Sequence, residues 1–542
     1  MSWFDTSAKQ FILLAVVGSI GVACKSDSGQ PASQVPGVAI SGTSAPPPAA
    51  GGTGGSSTGV ATGGTVAAAG TSAPTGTGGT AAPRAGGAAP QGGGSAPDVT
   101  VAGTGAPPNP QAGTGGTTPP EPGGASEWRM IGYDETSSYN NVRETVLTKA
   151  NAASLTEVWS VEMGTNVYGA PLQVGDKIYA SVGSNIRALD AATGKEVWRA
   201  NGGTTGSMAY ENGTLWYYTL SGNIVSLNAM DGKQKWSKAP MGSPGGDGSS
   251  SPIIAGNLVL IGGSNGGAEV IGGRFRGFLA ALDKNTGAGV WTEFTVPSGA
   301  AGASLWSSPA ADVAGGKAFG ATGNNHGAPA TDSSDALVGF DLMTGKILWK
   351  NQRTMNDTWG SGSSAPDADF GANPIVYETM VGGVMTKLLG GGQKSGDAHA
   401  VKRDDGMLLW TRHLCEGSRD GKTGIFVNGA WSGKYLLFAC NTPGKSTVYG
   451  LDGATGEIKF MTPLPGEVYG RMSVANGVGF VGAGANLAVF DADTGTMLKM
   501  VPSKGGTVAG TISIANGRVA YGEGLTWATG VAGRTLHVLQ VK

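Results

Sequence analysis

The sequence repeats one short phrase, and the spacing of its copies constrains the fold more than any other feature. The clearest copy, residues 188–198, reads Ala-Leu-Asp-Ala-Ala-Thr-Gly-Lys-Glu-Val-Trp, and close copies begin near Ala281 and Phe340. Looser copies supply four more turn glycines. The seven turn glycines are Gly194, Gly232, Gly287, Gly345, Gly406, Gly456 and Gly495, which lie 38, 55, 58, 61, 50 and 39 positions apart. Repeats of this length are typical of solenoids and β-propellers.

Each repeat unit reads as β-structure. Between Pro171 and Trp198, four short segments rich in β-branched and aromatic residues are separated by glycine-containing turns. The Asp-x-x-Thr-Gly turn needs a glycine because its last residue takes a positive φ. Asp190 can accept hydrogen bonds from the turn amides. The tryptophan four residues after the glycine is predicted to pack between neighbouring sheets. Four strands per unit predict a propeller blade.

The two ends of the repeat region predict how the ring closes. Trp159 is a docking tryptophan that comes before any turn, and Arg534–Val541 is a strand with no phrase after it. We expect these ends to pair in one mixed blade, which removes exposed sheet edges. The fold class predicted is therefore all-β, an eight-bladed β-propeller spanning residues 127–542. Seven blades is the alternative, because the last two copies of the phrase lack tryptophan.

The segment before the repeats predicts export. Met1–Ala23 contains Lys9 and then the apolar run Phe11–Ala23, which is too short for a stable transmembrane helix and reads as a signal peptide. Cys24 follows small residues, which resembles a bacterial lipoprotein cleavage site. We expect residues 1–24 to be a lipoprotein signal with Cys24 lipidated, so that a lipid is the sole membrane anchor. An ordinary secretory signal is the alternative. The predicted location is the periplasm, outer membrane or cell surface.

Residues 25–126 form a linker of a different composition. Ser28–Ser126 consists of Gly, Thr, Ala, Ser and Pro with three charged residues, and it has no hydrophobic period. Such a segment cannot bury a core, so we predict a disordered tether. A folded low-complexity domain is the alternative.

Charge and cysteine usage exclude several functions. The net charge of −2 gives no reason to expect a nucleic-acid partner. The four histidines show no zinc-ligand spacing, and the sequence has no Cys-x-x-Cys-His motif for covalent haem. Cys415 and Cys440 lie in one blade-sized segment and are either a disulfide or two buried thiols.

Four features in the longest units could bind a ligand. Glu269 follows Gly267 and Ala268, whose small size lets the backbone approach a ligand. Trp306 lies among small polar residues and offers a flat face. Asn324, in Thr-Gly-Asn-Asn, could coordinate a hard cation such as Ca²⁺, and Lys394 supplies positive charge. Taken singly, these could be a loop glutamate, a core tryptophan, a turn asparagine and a surface lysine.

Together these features, the repeat phrase and the opening residues 128–134 resemble pyrroloquinoline quinone (PQQ) dehydrogenases. The resemblance covers residues 127–542. It implies that Glu269 and Asn324 bind Ca²⁺, that Trp306 forms the floor under PQQ, and that Lys394 contacts the quinone oxygens. The tryptophan stands 18 residues before the asparagine, as in that family. The remaining cofactor contacts that the resemblance implies are Gly267, Ala268, Ser249, Ser250 and Asn441.

The resemblance also defines the expected chemistry, the oxidation of an alcohol by hydride transfer to PQQ. The segment Asp367-Ala368-Asp369-Phe370-Gly371 and the missing vicinal Cys-Cys pair look most like polyvinyl-alcohol dehydrogenases, which implies a polymeric secondary alcohol. Without a haem motif, electrons would pass to an external cytochrome c or quinone. Gly362 stands where lanthanide-dependent relatives carry a second carboxylate, which favours calcium.

The expected catalytic base departs from the family pattern. The family's base is the last residue of Asp-x-Trp-Asp, but this chain has Asp357-Thr358-Trp359-Gly360. Either Asp357 has become the base, or the protein binds the cofactor without efficient turnover.

Two other functions suit the same fold. One is a non-catalytic outer-membrane scaffold lipoprotein of the same repeat family, which Gly360 favours. The other is a surface-displayed binding protein on a long stalk, which the tether favours. A scaffold needs none of Glu269, Trp306, Asn324 and Lys394.

Overall fold

The repeated phrase forms one antiparallel four-stranded sheet at each occurrence, as predicted. The computed structural model describes residues 126–542 except 205, 244, 247–248, 266–274, 328–329, 360–365, 419–421 and 525–532. Eight sheets follow one another along the chain, each running from an inner strand to an outer one. The eight-bladed propeller is confirmed, and the seven-bladed alternative is not.

The strands of the first four blades follow the chain without a crossover. Blade 1 holds β3 (Leu172–Val174), β4 (Lys177–Val182), β5 (Asn185–Asp190) and β6 (Glu196–Asn201). Blade 2 holds β7 (Ala209–Glu211), β8 (Thr214–Tyr218), β9 (Ile224–Asn228) and β10 (Gln234–Lys238). Blade 3 holds β11 (Ile253–Ala255), β12 (Leu258–Gly263), β13 (Phe278–Asp283) and β14 (Gly289–Phe294). Blade 4 holds β15 (Ala310–Asp312), β16 (Lys317–Ala321), β17 (Ala336–Asp341) and β18 (Ile347–Gln352).

The other four blades include the two that involve the chain ends. Blade 5 holds β19 (Ile375–Val381), β20 (Val384–Gly392), β21 (Asp397–Lys402) and β22 (Leu408–His413). Blade 6 holds β23 (Ala430–Trp431), β24 (Tyr435–Thr442), β25 (Lys445–Asp452) and β26 (Ile458–Leu464). Blade 7 holds β28 (Ser473–Ala475), β29 (Val478–Gly482), β30 (Asn486–Asp491) and β31 (Met497–Pro502). Blade 8 holds β32 (Val508–Ala515), β33 (Arg518–Glu523), β34 (Thr535–Gln540) and, as its outer strand, β2 (Thr156–Glu162).

Blade 8 therefore joins the two ends of the repeat region, as predicted. β2 and β34 pair antiparallel from Thr156 opposite Gln540 to Glu162 opposite Thr535. Two short strands add parallel pairs at the inner edges, β1 (Asn140–Asn141) with β28 and β27 (Tyr469–Arg471) with β32. A 3₁₀ turn, Ala152–Ser154, precedes β2. No helix within the described residues is long and apolar enough to span a membrane.

The Asp-x-x-Thr-Gly turn does what its residues predict. Asp190 Oδ1 accepts hydrogen bonds from the Ala192 amide and from the amide and hydroxyl of Thr193. Gly194 has a φ of 72°, and a Cβ there would lie 2.7 Å from the Trp159 ring. The turn glycine is needed both for its backbone conformation and because the preceding blade's tryptophan packs on it.

The docking tryptophans link most blades to the next. The indole of Trp291 packs on Gly345 and donates to the Leu342 carbonyl, both in the next blade. Trp159, Trp198, Trp349 and Trp410 make the equivalent backbone hydrogen bond. Phe460 fills this place against Gly495, which explains how one of the two phrases without tryptophan docks on the next blade.

One segment, residues 128–141, contacts the inner strand of every blade; we call it the sealing segment. Trp128 exchanges two backbone hydrogen bonds with Gln173 of blade 1. Asn141 Nδ2 donates to the Ile514 carbonyl of blade 8, 2.7 Å away. The residues contacted in blades 1 to 8 are, in order, Gln173, Tyr210, Ile254, Ala311, Val376, Trp431, Val474 and Ile514. The segment thus joins the inner strands of all eight blades.

A second ring of contacts involves the residue three positions before each one that the sealing segment contacts. We call these positions, one in each blade, the axial girdle. In it, a small polar side chain of one blade accepts a hydrogen bond from the backbone amide of the blade before. The acceptors are Ser207, Ser251, Ser308, Asn373 and Asn428, and the donor amides are those of Ala170, Ser207, Ser251, Ser308 and Asn373. These bonds, 2.6 to 2.8 Å long, set the spacing between blades 1 to 6.

Removing the sealing segment tests its role in closing the ring. We expect a chain that begins at Val142 to unfold about 10 °C or more below one that begins at Ser126, because contacts with all eight blades are lost. Thermal unfolding followed by circular dichroism measures the difference. Equal midpoints would show that the blades close without the segment.

Candidate functional site

The blade topology brings distant predicted residues to one end of the ring. Trp306 lies just before the inner strand β15, and Asn324 follows the second strand β16 of the same blade. Lys394 follows β20 of blade 5. Because antiparallel strands reverse direction, the start of the first strand and the end of the second lie at the same end of a blade.

Trp306 forms a flat, partly exposed platform. Its indole Nε1 donates to Asp369 Oδ2 at 2.7 Å, which fixes the plane of the ring. A Cβ on Gly371 would lie 3.1 Å from the ring, and one on Gly323 would lie 3.5 Å from it. The Phe426 ring lies 6.1 Å away on the neighbouring side. The two glycines therefore leave room for the indole to lie flat.

Lys394 is held between two carboxylates above this platform. Its Nζ lies 2.9 Å from Asp367 Oδ2, 2.6 Å from Asp369 Oδ1 and 5.1 Å from the centre of the Trp306 ring. Burial acts to lower the pKa of Lys394, but Asp367 and Asp369 outweigh it and raise that pKa above its ordinary value. Burial raises the pKa of Asp367 to about 8, although Lys394 opposes the rise. Lys394 is therefore a fixed positive charge at the site.

Asn324 presents its carbonyl oxygen to the site. The buried side chain uses Nδ2 to donate to the backbone carbonyls of Trp359 and Asn325. Because both acceptors are carbonyls, the amide orientation is determined, and no described donor contacts Oδ1. An oriented amide oxygen of this kind is suited to a hard cation.

Two further carboxylates lie in the same region. Asp335 is fully buried, and neither of its oxygens has a hydrogen-bond donor within the described residues. Burial, followed by the charges of Asp357 and Asp369, raises the pKa of Asp335 well above its ordinary value. Asp357 accepts hydrogen bonds from the amides of Trp359 and Ala368, and burial raises its pKa. Two carboxylates, Asp367 and Asp369, thus contact the lysine, and two more lie near them. The raised pKa values of Asp335, Asp357 and Asp367 favour their protonated forms.

These observations test whether PQQ and calcium fit. The Trp306 platform, bordered by glycines, matches a planar ligand. The Asn324 carbonyl oxygen and the carboxylate oxygens of Asp335 are ligand types that suit a hard divalent cation. Among the described residues, no group of three or more acidic, histidine or cysteine side chains is placed to hold a metal ion. The described residues therefore fit a planar ligand and supply part of the ligand set that calcium needs.

The other predicted site residues have mixed outcomes. Gly267, Ala268 and Glu269 lie outside the described residues, as do Cys24, Gly360 and Gly362. Ser250 is buried and accepts a hydrogen bond from the Gly262 amide, and Ser249 is partly buried beside it. Asn441 uses its side chain fully, accepting from Ser446 and the Val468 amide and donating to two carbonyls. It joins parts of the chain rather than facing the platform.

Cys415 and Cys440 form a disulfide, with Cα atoms 6.3 Å apart. The bond joins β24 of blade 6 to the segment that leaves blade 5. It lies next to Asn441, since Cys415 Sγ is 3.9 Å from the Asn441 carbonyl oxygen.

Sequence reasoning did not assign roles to Asp335, Asp367, Asp369 or Trp359. The segment Asp-Ala-Asp-Phe-Gly contains the two aspartates that hold Lys394, but in the sequence it indicated only a resemblance to polyvinyl-alcohol dehydrogenases. Two closely spaced carboxylates followed by a lysine could have predicted the ion pairs. The expected base was instead assigned to Asp357 from the Asp-x-Trp-Asp pattern.

Comparison with known proteins places the chain in a family. The PQQ_2 family model, described as outer membrane protein assembly factor BamB, matches residues 112–266, 182–378 and 394–534. These matches cover most of the chain, so the protein belongs to this family of PQQ-type repeat propellers.

Individual relatives confirm the resemblance to quinoprotein dehydrogenases. A polyvinylalcohol dehydrogenase of Pseudomonas sp. is 28% identical over 51% of this chain and 49% of its own length. A second, from Sphingopyxis sp. (strain 113P3), is 27% identical over 58% of this chain and 56% of its own length. The chain thus spans about half the length of the curated relatives it matches.

Solved structures support the fold. Quinohemoprotein alcohol dehydrogenase from Comamonas testosteroni has a TM-score of 0.63 and 18% identity, over 77% of this chain and 80% of that protein. A europium-containing methanol dehydrogenase has the same TM-score and identity, over 77% and 98%. At this identity the similarity concerns the fold alone.

The pKa of Asp367 predicts how stability depends on pH. Its folded value of about 8 exceeds its ordinary value of 3.8, so the folded protein binds more protons between these values. Stability should therefore fall as pH rises through this window, by at most about 1.4 kcal/mol per pH unit from this group. Asp367→Asn should make the decline shallower.

Denaturant unfolding from about pH 5 to about pH 9, with a chelator present, measures this effect. Asp404→Asn is the matched control, because Asp404 pairs with Lys317 at the surface. An unchanged slope in Asp367→Asn would contradict the prediction.

Proposed function

We propose that the protein is an alcohol-oxidising oxidoreductase that uses PQQ and Ca²⁺. The observation that carries the proposal is the arrangement of Trp306, Asp369 and Lys394, a flat platform with a fixed cation at its edge. Relatives named as polyvinylalcohol dehydrogenases and quinone alcohol dehydrogenases support the same reaction class.

The cofactor and the protein have separate tasks in this proposal. PQQ, when bound, supplies the quinone that accepts a hydride from the alcohol carbon. Trp306 stacks under the ring system, and Lys394 provides positive charge for the quinone oxygens. Asn324, with Glu269 from the sequence prediction, holds a calcium ion that acts as a Lewis acid.

We propose Asp369 as the base that takes the alcohol proton. It lies between the platform and the lysine, with Oδ2 on Trp306 Nε1 and Oδ1 beside Lys394. The sequence prediction named Asp357, whose two oxygens each accept a backbone amide hydrogen bond. A base must reach the substrate beside the cofactor, and Asp369 contacts both Trp306 and Lys394, the two residues proposed to hold that cofactor. Asp367 then serves to hold Lys394 from the other side.

The remaining parts of the proposal concern substrate, acceptor and location. The names of the relatives support a polymeric secondary alcohol as substrate. Electrons would pass to an external cytochrome c or quinone. A lipid on Cys24 and the linker 25–126 would tether the propeller to the cell envelope.

A second function, a non-catalytic scaffold lipoprotein, is favoured by the description of the family model as an outer membrane assembly factor. Four clustered carboxylates, two of them paired with a buried lysine, have no use in a scaffold, and they cost stability. We therefore place the enzyme first.

Cofactor binding is tested by titrating the purified protein with PQQ in calcium and in chelator. We expect tryptophan fluorescence quenching and a raised unfolding midpoint that depend on calcium. Asn324→Ala should abolish the calcium dependence, and Trp306→Ala should weaken PQQ binding about 10-fold or more. Asn285→Ala, in an exposed turn of blade 3, is the control. No response at saturating PQQ and calcium would favour the scaffold.

The choice of base is tested with two conservative variants. Asp369→Asn should lower kcat for a dye-linked alcohol assay by about 100-fold or more, whereas Asp357→Asn should change it by less than about 10-fold. Rates are normalised to bound PQQ, so that weakened binding does not mimic lost chemistry. The reverse ranking would restore Asp357 as the base.

A further inference from the structure

Among the described residues, the girdle position accepts no inter-blade amide hydrogen bond in three of the eight blades, and two of these three carry polar side chains. The girdle residues of blades 1 to 8 are, in order, Ala170, Ser207, Ser251, Ser308, Asn373, Asn428, Arg471 and Thr511. The first six are small or neutral, and five of them accept an inter-blade amide hydrogen bond. Arg471 is a cation and cannot accept one. The hydrogen-bonded series therefore ends at blade 6.

Arg471 and Thr511 both carry polar atoms without partners. Within the described residues, Arg471 Nη1 and Thr511 Oγ1 are buried and have no hydrogen-bond partner. The two residues are in register on the parallel strands β27 and β32, so their side chains lie on the same face of that sheet. Thr511 is fully buried.

Arg471 also has no carboxylate partner in the described structure. Its guanidinium lies over the Tyr168 ring, 5.1 Å from the ring centre. Arg471 is partly buried, and a guanidinium nitrogen that is buried without an acceptor is costly, because its lost hydration is not replaced. The neighbouring girdle positions show that a small side chain would fit the fold.

Tyr139 adds a third donor at the same place. Its buried hydroxyl oxygen accepts hydrogen bonds from Nδ2 of both Asn373 and Asn428. Since both amides donate, the tyrosine's own hydrogen is left to donate elsewhere. Asn428 links this hydroxyl to the strand of Arg471, because its Nδ2 donates to Tyr139 and its backbone carbonyl accepts from the amide of Met472, the residue after Arg471.

We propose that Arg471, Thr511 and Tyr139 form an axial site that binds a carboxylate group. A guanidinium presents a planar pair of donors that matches a carboxylate, and the two hydroxyl groups complete the set. The carboxylate can come from PQQ, which carries carboxylates besides its quinone oxygens, or from a small free acid. Only the first source rests on the proposed function.

The two sources are distinguished with two variants and two probes. Arg471→Met keeps the length of the side chain without its charge, and Thr511→Val keeps the shape without the hydroxyl. PQQ binding is measured by tryptophan fluorescence, and oxalate binding by the unfolding midpoint, with chloride replaced at constant ionic strength. Arg187→Met is the control, since Arg187 already contacts Glu196 and the Met163 carbonyl.

We expect Arg471→Met to weaken binding of at least one probe about 10-fold or more, and Thr511→Val to weaken it several-fold. Without ligand, both variants should unfold no earlier than the parent, because each loses a polar group that had no partner. An effect on PQQ alone identifies the cofactor's carboxylate as the occupant. An effect on oxalate alone identifies a small free acid as the occupant. The carboxylate site would then stand even if the protein does not bind PQQ.

The proposal is overturned if neither variant changes the binding of either probe. It is also overturned if both variants unfold well below the parent without ligand and keep parental affinities. That result would show Arg471 and Thr511 to be structural. Thr511→Val decides the question alone if Arg471→Met does not fold.

Discussion

The structure depends on how neighbouring blades are joined at the axis, where eight inner strands meet without pairing side by side. The girdle solves this for blades 1 to 6, because one backbone amide just before the inner strand of each of blades 1 to 5 donates to a side chain of the next blade. The sealing segment contacts all eight blades. Buried amides without partners would be costly, so these bonds fix the order and spacing of the blades.

The same spacing positions the candidate site. Trp306, Gly371 and Phe426 each lie two residues before a girdle residue, in blades 4, 5 and 6. Trp306, Gly371 and Phe426 thus occupy the same position of successive blades. Gly371, in the middle blade, leaves the space over which the indole extends toward Phe426. The platform is therefore a local variation of the repeat, with a glycine between two aromatic residues at one position. Loops then bring Asn324 and Lys394 to its edge.

Much of this could be predicted from the sequence, because it depends on short-range patterns. The Asp-x-x-Thr-Gly-Trp phrase determines a turn and a docking contact within one blade pair, and Trp159 with Arg534–Val541 indicated the closure. Trp306, Asn324 and Lys394 were assigned roles through the resemblance to PQQ dehydrogenases. The sealing segment was seen only as a family-like opening, since its contacts lie as far as 373 residues away. Asp369 was missed because its importance comes from meeting Trp306 and Lys394 in space.

Charged groups are unevenly distributed around the axis. Blades 4 and 5 bring Asp335, Asp357, Asp367 and Asp369 together, and Lys394 contacts two of them. The parallel pair of strands in blades 7 and 8 carries Arg471, which has no carboxylate partner among the described residues. Burying such groups without partners is costly, so packing of the fold alone does not explain them. The cofactor site proposed at Trp306 and the carboxylate site proposed at Arg471 would each offset part of this cost, because a bound ligand replaces hydration that burial removes.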